Sequence, residues 1–456
     1  MLRIPGAAAR DERRVHEAAI ARVGAEIASA LPKPRRGVLE RIDRYAMSAV
    51  TDDPELRAAL FRFVDVLPVL PSAHERARHL VSYLSALRRA PLPLRLARRL
   101  GSVRETEGLV GWTAESFVRH LARRFIVGET PGDAYPTLFR LAEQGVGFSV
   151  DLLGESTLTM TEAAQYERRC YEALDVLAAT VARLPMSGAA ESDSFGLVPR
   201  INLSVKVSAL TPMLRSHAPE LAIADARTRL VGLMERAKAL GAHLHIDMES
   251  LDWREVVTDL VFSLLAEPRF ADGPSVGMVI QAYLSDSPHE LDRVLERSRS
   301  LGRTPPLVVR LVKGAYFDHE LALARQRNWP SPLFLEKAAT DRNFEQLTTR
   351  LLAARPLVRV AVASHNLRSV AHAIAESRRL GAADADLELQ VLRGLGDDLG
   401  TALAARGFRV RAYCPIGDLV AGMAYLVRRL LENTSNESFL HERAEGVPLD
   451  ELLAAP

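Results

Sequence analysis

The chain has 456 residues, 48% hydrophobic and 25% charged, with a formal net charge of +2. That is enough length and apolar content for one large barrel plus a smaller helical region, and it excludes an intrinsically disordered chain. The near-zero charge gives no bulk argument for nucleic acid, and the 2 cysteines, Cys170 and Cys414, exclude a disulfide framework.

The N-terminal "AARDERRVHE" lacks the apolar core of a signal peptide. No run approaches the ~20 apolar residues of a membrane-spanning helix. The expected setting is cytoplasmic, with any membrane contact peripheral. Residues up to about 140 read as helices and turns. In "TDDPELRAALFRFVDVLP", Asp52 or Asp53 is positioned to cap a helix that has Pro54 and Glu55 in its first turn. Leu56, Leu60, Phe63 and Val64 then recur at helical spacing. Proline joints follow at Pro91 and Pro93. The arginine-rich stretch from Arg88 to Arg124 reads first as solvated helix faces, and second as a surface for anionic lipid or a partner.

After residue 145 the pattern changes to β-rich runs, each followed by a helix-forming segment. They are "GVGFSVDLL" (145–153), "RINLSVKVS" (200–208), "AHLHIDM" (242–248), "VGMVIQAY" (276–283), "LVVRLVKG" (307–314), "VRVAVASH" (358–365), "LELQVL" (387–392) and "RVRAYC" (409–414). Strand–helix alternation implies parallel pairing, and this number of units points to a closed (β/α)8 barrel, with an open doubly wound sheet as the alternative. The loop "PMSGAAESDSFG" (185–196) is small and polar, as a mobile connector would be.

A barrel places function at the C-terminal ends of its strands. The polar residues there are Asp151, Lys206, Asp247, Gln281, Arg310, Lys313, Ser364, His365, Gln390 and Tyr413. Lys206 interrupts an apolar strand, and parallel barrel strands are covered on both faces, so a cation there suits an anionic ligand. Arg310 and Lys313 bracket the end of "LVVRLVKGAY", and Gly314 permits close backbone approach. Together these cations predict a strongly positive barrel mouth. In "HLHIDMES", His243, His245 and Asp247 share one strand face. They read as core histidines below one functional aspartate, although imidazole with carboxylate also suits a metal. "RGLGDDLG" has a glycine spacing one residue too long for a dinucleotide fingerprint, and its aspartates stand where a phosphate would go. "VASHN" ends a strand with three hydrogen-bonding side chains, Ser364, His365 and Asn366, in a loop suited to cofactor contacts. In "LVRRLLEN", Arg428 and Arg429 can pair along a helix with Glu432, or together clamp a carboxylate that lies against the helix.

These stretches resemble a known family. "FIVGET", "VDLLGE", "SVKVSAL", "HIDMES", "IQAY", "RLVKGAYFD", "SHN" and "AYLVRRLLENTSNESF" occur in the order found in the proline dehydrogenase domain of proline utilization A, a flavoenzyme. The resemblance implies a helical arm and α-domain over residues 1–125, a distorted (β/α)8 barrel over 126–445 and a C-terminal tail over 446–456. It implies FAD held without a Rossmann fingerprint, oxidation of L-proline to Δ1-pyrroline-5-carboxylate, and a quinone such as ubiquinone as electron acceptor. By motif, Lys206, Arg428, Arg429 and Tyr316 become substrate-binding residues, and Asp247, Arg310 and Tyr413 catalytic ones. Met248, Gln281, Arg310, Val312, Lys313, Gly314, Ser364, His365, Asn366 and Gln390 become FAD contacts. Glu155 and Glu432 become supporting ion-pair partners, and no metal is implied.

The sequence departs from the family pattern at Phe317, where Trp is usual, at Arg393, where His is usual, and at Asp397, where Glu is usual. Bifunctional members continue into an aldehyde dehydrogenase domain. Residues 1–456 contain none, so the chain reads as a separate dehydrogenase, working with a separate pyrroline-5-carboxylate dehydrogenase, or as a piece of a longer one. Homo-oligomerisation and peripheral membrane association are compatible with the family, and nucleic-acid binding is not implied. The rival readings are a metal-dependent barrel hydrolase using His243, His245, Asp247 and His365, and an inactive barrel serving as a scaffold.

Overall fold

The computed structural model describes residues 7–32, 53–87, 92–154, 157–186, 188–214, 217–418, 422 and 447–456. Glu155, Arg428, Arg429 and Glu432 lie outside the described residues. The chain divides into two compact units, one of residues 1–31, 131–415 and 439–456, the other of residues 32–130 and 416–438.

The first unit opens with α1 (Ala7–Ala30). In the second unit, α2 (Pro54–Val66), α3 (Ala73–Ser85), α4 (Leu92–Gly101) and α5 (Arg104–Phe125) follow one another. Asp53 caps α2 by accepting from the amides of Glu55 at 2.9 Å and Leu56 at 3.1 Å. Leu56, Phe63 and Val64 are buried as the helical spacing requires. α3 packs along α5, where Gly111 lets α5 approach the backbone of Ala73 closely, and Arg76 pairs with Glu115.

Every β-rich run of the sequence is a strand: β1 (Val146–Leu152), β2 (Asn202–Lys206), β3 (His243–Asp247), β4 (Ser275–Gln281), β5 (Leu307–Val312), β6 (Val358–Ala363), β7 (Leu387–Leu392) and β8 (Arg409–Ile416). They close a barrel in the order β1-β8-β7-β6-β5-β4-β3-β2. The open-sheet alternative fails because β1 pairs on both sides, with β2 and with β8. The barrel unit's helices are α6 (Tyr135–Glu143), α7 (Met160–Val181), α8 (Pro219–Ala239), α9 (Leu251–Leu265), α10 (Ser287–Leu301), α11 (Phe317–Gln326), α12 (Lys337–Ala353), α13 (Leu367–Arg379) and α14 (Asp397–Ala404). Buried Leu203, Val205, Leu244, Ile246, Val309, Leu311, Val360 and Val362 form the apolar share of the strands. A reciprocal cap between Thr159 and Glu162 starts α7. "RGLGDDLG" is a barrel loop that leads from β7 into α14.

α1 lies along α13. Arg368 on α13 donates to Glu17 on α1 at 2.9 Å, to Glu345 on α12 at 2.8 Å and to the carbonyl of Leu453 at 3.0 Å. The side chain of Leu453 covers Gly24 of α1.

The N-terminal ends of the strands carry a polar network instead of an oily floor. The segment expected as a mobile connector forms a hairpin, Ser192–Asp193 against Gly196–Leu197, and it is anchored. Asp193 has no exposed side-chain surface. Its carboxylate accepts from Arg359 at 2.9 Å and from Arg409 at 2.7 Å. Two buried guanidinium groups need a counter-charge, which is why this small polar loop is fixed. Glu388 on β7 accepts from Arg411 at 2.9 Å and from Gln390 at 2.6 Å. Burial works to raise the pKa of Glu388, but Arg411 and Arg409 outweigh it and hold the carboxyl well below the usual range.

His243 Nδ1 lies 2.8 Å from Ser275 Oγ, and its Nε2 lies 3.1 Å from His245 Nδ1. Burial, aided by Arg411, pushes His243 down to about 3 from the usual imidazole range, and burial with Arg310 lowers His245 as well. Both are core imidazoles held neutral. A base with a depressed folded pKa adds stability above its unfolded pKa, and that stability is lost as pH falls. The expected result is a melting temperature that declines as pH is lowered below about 6.5. In His243→Gln, which keeps a polar contact for Ser275 but cannot ionise, the decline between pH 6.5 and 4.5 should be shallower, as read by thermal unfolding. Parallel declines would place the acid sensitivity elsewhere.

Candidate active site

The C-terminal strand ends bring four of the expected residues together. Asp247 is the last residue of β3 and lies in register with Lys206, the last of β2. Arg310, two residues from the end of β5, points inward and donates from Nη1 to Asp247 Oδ1 at 2.7 Å. Tyr413 on β8 donates its hydroxyl to Asp247 Oδ2 at 2.7 Å. The Arg310 guanidinium also lies 5.3 Å from the centre of the Tyr413 ring and 3.4 Å from Ser204 Oγ. Lys206 Nζ pairs with Asp151 Oδ1 on β1. The side chains of Asp151 and Arg310 are only 1% and 5% exposed, so these are desolvated pairs.

The expectation of a strongly positive mouth is corrected here: among the described residues, Asp151 balances Lys206 and Asp247 balances Arg310. The physical reason is that unpaired cations could not be held at such low exposure. Burial works to lower the Lys206 pKa, yet the carboxylates of Asp151 and Asp247 push it up to about 12. Burial raises Asp151 in spite of Lys206. Burial, with the charges of Asp151 and Asp247, keeps the Tyr413 hydroxyl protonated far above its usual range.

Sequence reasoning collected Asp151 among the strand-end polar residues but gave it no role, and it missed Ser204 and Tyr166. The Tyr166 hydroxyl, from α7, accepts the Lys206 backbone N–H at 3.2 Å. The period-two spacing of Ser149 and Asp151 in "FSVDLL" was the available signal.

Next to this cluster is a second group. Gln281 closes β4 and donates to the carbonyl of Glu249 at 3.1 Å, while its Oε1 is buried without a partner among the described residues. Arg310 Nε is buried in the same condition. Gly314 has φ 137°, and a Cβ there would collide with the Tyr283 ring. Met248 is buried, while Val312 and Tyr316 are half-buried at the ends of their segments. Lys313 Nζ pairs with Asp341 at 2.5 Å, and burial lowers the lysine's pKa against that pull.

On the neighbouring strands, His365 Nε2 accepts the Leu392 amide at 2.8 Å, so its proton is on Nδ1. Ser364 Oγ accepts from the Asn366 amide at 3.2 Å, and Asn366 caps α13 through Ser369 N at 2.9 Å. Gln390 is not brought to this group; it is held by Glu388 in the network at the other end. The orphaned acceptor of Gln281, the orphaned donor of Arg310 and the tight backbone at Gly314 fit the edge of an isoalloxazine ring, which carries both donors and acceptors.

The departures from the family pattern are accommodated. Arg393 and Asp397 pair with each other. Phe317 packs on the cluster of Tyr283, Leu284 and Leu333. The hydrolase alternative finds no support in the geometry: Asp247 is occupied by Arg310 and Tyr413, and among the described residues no group of three or more His, Cys, Asp or Glu side chains could hold a metal ion.

Comparison with known proteins adds to this geometry. Residues 134–442 match the family model for proline dehydrogenase, and residues 17–125 match that for the proline utilization A N-terminal domain. The chain is 31% identical to the bifunctional protein PutA of Salmonella typhimurium over 375 residues, 79% of this chain and 27% of that protein. It is 28% identical to proline dehydrogenase 1 of Bacillus subtilis subsp. natto, over 70% of this chain and 89% of that one. The crystal structure of proline utilization A from Bdellovibrio bacteriovorus inactivated by N-propargylglycine superposes with a TM-score of 0.87 at 33% identity, covering 96% of this chain and 44% of that one. The chain thus spans between a quarter and a half of the bifunctional proteins it resembles.

Proposed function

The chain belongs to the proline dehydrogenase family of oxidoreductases, and from that premise we propose that it oxidises L-proline to Δ1-pyrroline-5-carboxylate with FAD, as the first step of proline catabolism to glutamate. The observation that carries this reading is the paired charge cluster of Asp151, Lys206, Asp247, Arg310 and Tyr413 at the barrel mouth. When bound, FAD would supply the acceptor for a hydride from proline C5.

The chain's own residues bind, orient and exclude water. Lys206, Arg428 and Arg429 take the substrate carboxylate, with Glu155 and Glu432 holding the arginines. Charge-assisted, forked contacts of this kind fix a planar anion in one pose. Tyr413, tied to Asp247, and Tyr316 border the pyrrolidine ring. Arg310, oriented by Asp247, would offer positive charge to a bound electron acceptor. Position does most of the work, since no strong base is needed to move a hydride. Met248, Gln281, Arg310, Val312, Lys313, Gly314, Ser364, His365 and Asn366 hold the cofactor, while Gln390 is left to Glu388.

Ubiquinone or another quinone takes the electrons onward, and a separate pyrroline-5-carboxylate dehydrogenase takes the product. We read residues 1–125 as arm and α-domain, 126–445 as catalytic barrel and 446–456 as tail. No helix among the described residues is long and apolar enough to cross a membrane. The proposed setting is cytoplasmic, with a peripheral membrane contact and a homo-oligomer.

Anaerobic L-proline added to the FAD-loaded protein should bleach its visible flavin absorbance. A flavin that proline leaves oxidised overturns the substrate, and a protein that cannot be loaded with FAD overturns the whole reading. Arg429→Ala should raise the KM for proline about 10–100-fold, the cost of one charged hydrogen-bonding group. An unchanged KM would remove Arg429 from the carboxylate clamp.

A further inference from the structure

Lys206 is gripped at two points that the proposed reaction does not itself require. At the tip, its ammonium pairs with Asp151, which comes from the neighbouring strand β1 and is 1% exposed. At the root, its backbone N–H donates to the hydroxyl of Tyr166 at 3.2 Å. Tyr166 is itself buried, at 3% exposure, on α7 outside the strands. Lys206 is the last strand residue of β2, and the chain turns at once into a single helical turn, Val207–Leu210. Here the side chain of Tyr166, rather than a neighbouring strand, holds the amide that fixes where the Lys206 Cα sits.

A lysine is a poor positioning device by itself. Its ammonium rides on a flexible four-carbon stem, and holding that stem still costs rotamer entropy. The carboxylate at the tip restrains the stem, and the hydroxyl at the root fixes the backbone from which the stem springs, before any ligand arrives. We infer, on the premise of the proline dehydrogenase reading, that Asp151 and Tyr166 are positioning residues for substrate recognition, presenting a pre-aimed Lys206 ammonium to the substrate carboxylate.

The carboxylates at the mouth differ in their direct ion-pair partners, although Asp247 also acts on Lys206 through its charge. Asp247 serves Arg310 and Tyr413, the side of the ring and its electrons. Asp151 serves Lys206, the side of the carboxylate. Burial holds the Tyr166 hydroxyl protonated far above its usual range, so it stays a neutral group able to accept from the amide at any working pH.

The test uses the full-length, FAD-loaded protein and anaerobic flavin reduction at a series of L-proline concentrations. This separates half-saturation from the limiting rate. In Asp151→Asn the half-saturating proline concentration should rise by about tenfold or more, with the limiting rate within about threefold of the parent, because the lost contact aids binding in ground and transition states alike. Asp151→Glu should recover part of the affinity by restoring the charge. Inhibition by cyclopentanecarboxylate, which has the carboxylate without an oxidisable C–N bond, should weaken in step with proline.

A limiting rate that collapses at unchanged half-saturation would overturn the inference, as would wild-type half-saturation in a folded Asp151→Asn. Should Asp151→Asn fail to fold or to hold flavin, Tyr166→Phe decides. It removes one acceptor and no charge, so a raised half-saturation supports the anchor and an unchanged one sinks it. Failure of the underlying reading looks different, because the parent protein's own flavin would then not respond to proline.

Discussion

Arg310→Ala is expected to cut the rate of proline-dependent flavin reduction by about 100–1000-fold, the range found when a preorganised charge donor is removed from a site of developing negative charge. The same change should destabilise the barrel by about 3–5 kcal/mol, because it strands a buried carboxylate. Among the described residues Asp247 would keep its bond from Tyr413 but lose its direct ion pair, and Ser204 would lose its guanidinium neighbour. The ring face of Tyr413 would also lose the cation that lies 5.3 Å away. Arg310→Lys should fall between the two, since an ammonium restores the charge but cannot reach Asp247 and Ser204 together as the planar fork does. Stopped-flow reduction of the flavin gives the first effect and urea unfolding the second. A folded Arg310→Ala protein reduced by proline at the parent rate would remove Arg310 from the site.

Asp193→Ala is the counterpart at the far end of the barrel. Its carboxylate is the shared acceptor of Arg359 and Arg409, and both arginines are almost wholly buried. Removing it leaves two guanidinium groups short of a counter-charge, for an expected loss of about 3–5 kcal/mol. Glu388 cannot make up the deficit, being committed to Arg411 and 3.9 Å from Arg409 Nε. Because Asp193 serves the N-terminal strand ends, the KM for proline and the limiting rate should stay at parent values below the unfolding transition. Denaturant unfolding and steady-state kinetics on the same preparation check both halves. An unchanged midpoint would mean that water satisfies the arginines and that the hairpin is dispensable.

The barrel was legible because parallel strands covered on both faces read as apolar runs, and charged interruptions such as Arg310 and Lys206 then stood out. Asp247, Arg310, Lys206 and Tyr413 were therefore singled out by residue type and position, and the structure brings them together. What escaped was charge balance. Asp151 sits 55 residues from Lys206 in the chain, and no local pattern links them. The hairpin at 192–197 escaped for the same reason. "ESDSFG" is ordinary loop chemistry until Arg359 and Arg409 arrive 166 and 216 residues later. Gln390 shows the converse error. Its place near a strand end suggested the mouth, but Glu388 two residues before it on the same face takes its amide. Strand periodicity indicates which face a side chain occupies, while its partner is chosen by elements distant in sequence.

The seat of α1 on α13 bears on the order of assembly during synthesis. Glu17 meets Arg368 across a separation of 351 residues. At a ribosomal pace of roughly 5–20 residues per second, about 20–70 s must pass between the emergence of one partner and the other. Over that interval the stripe of Ile20, Val23 and Ile27 has no native surface to cover it. A helix whose dock is made so much later is exposed to mispairing and to capture by chaperones, and its closure is a late, high-contact-order event.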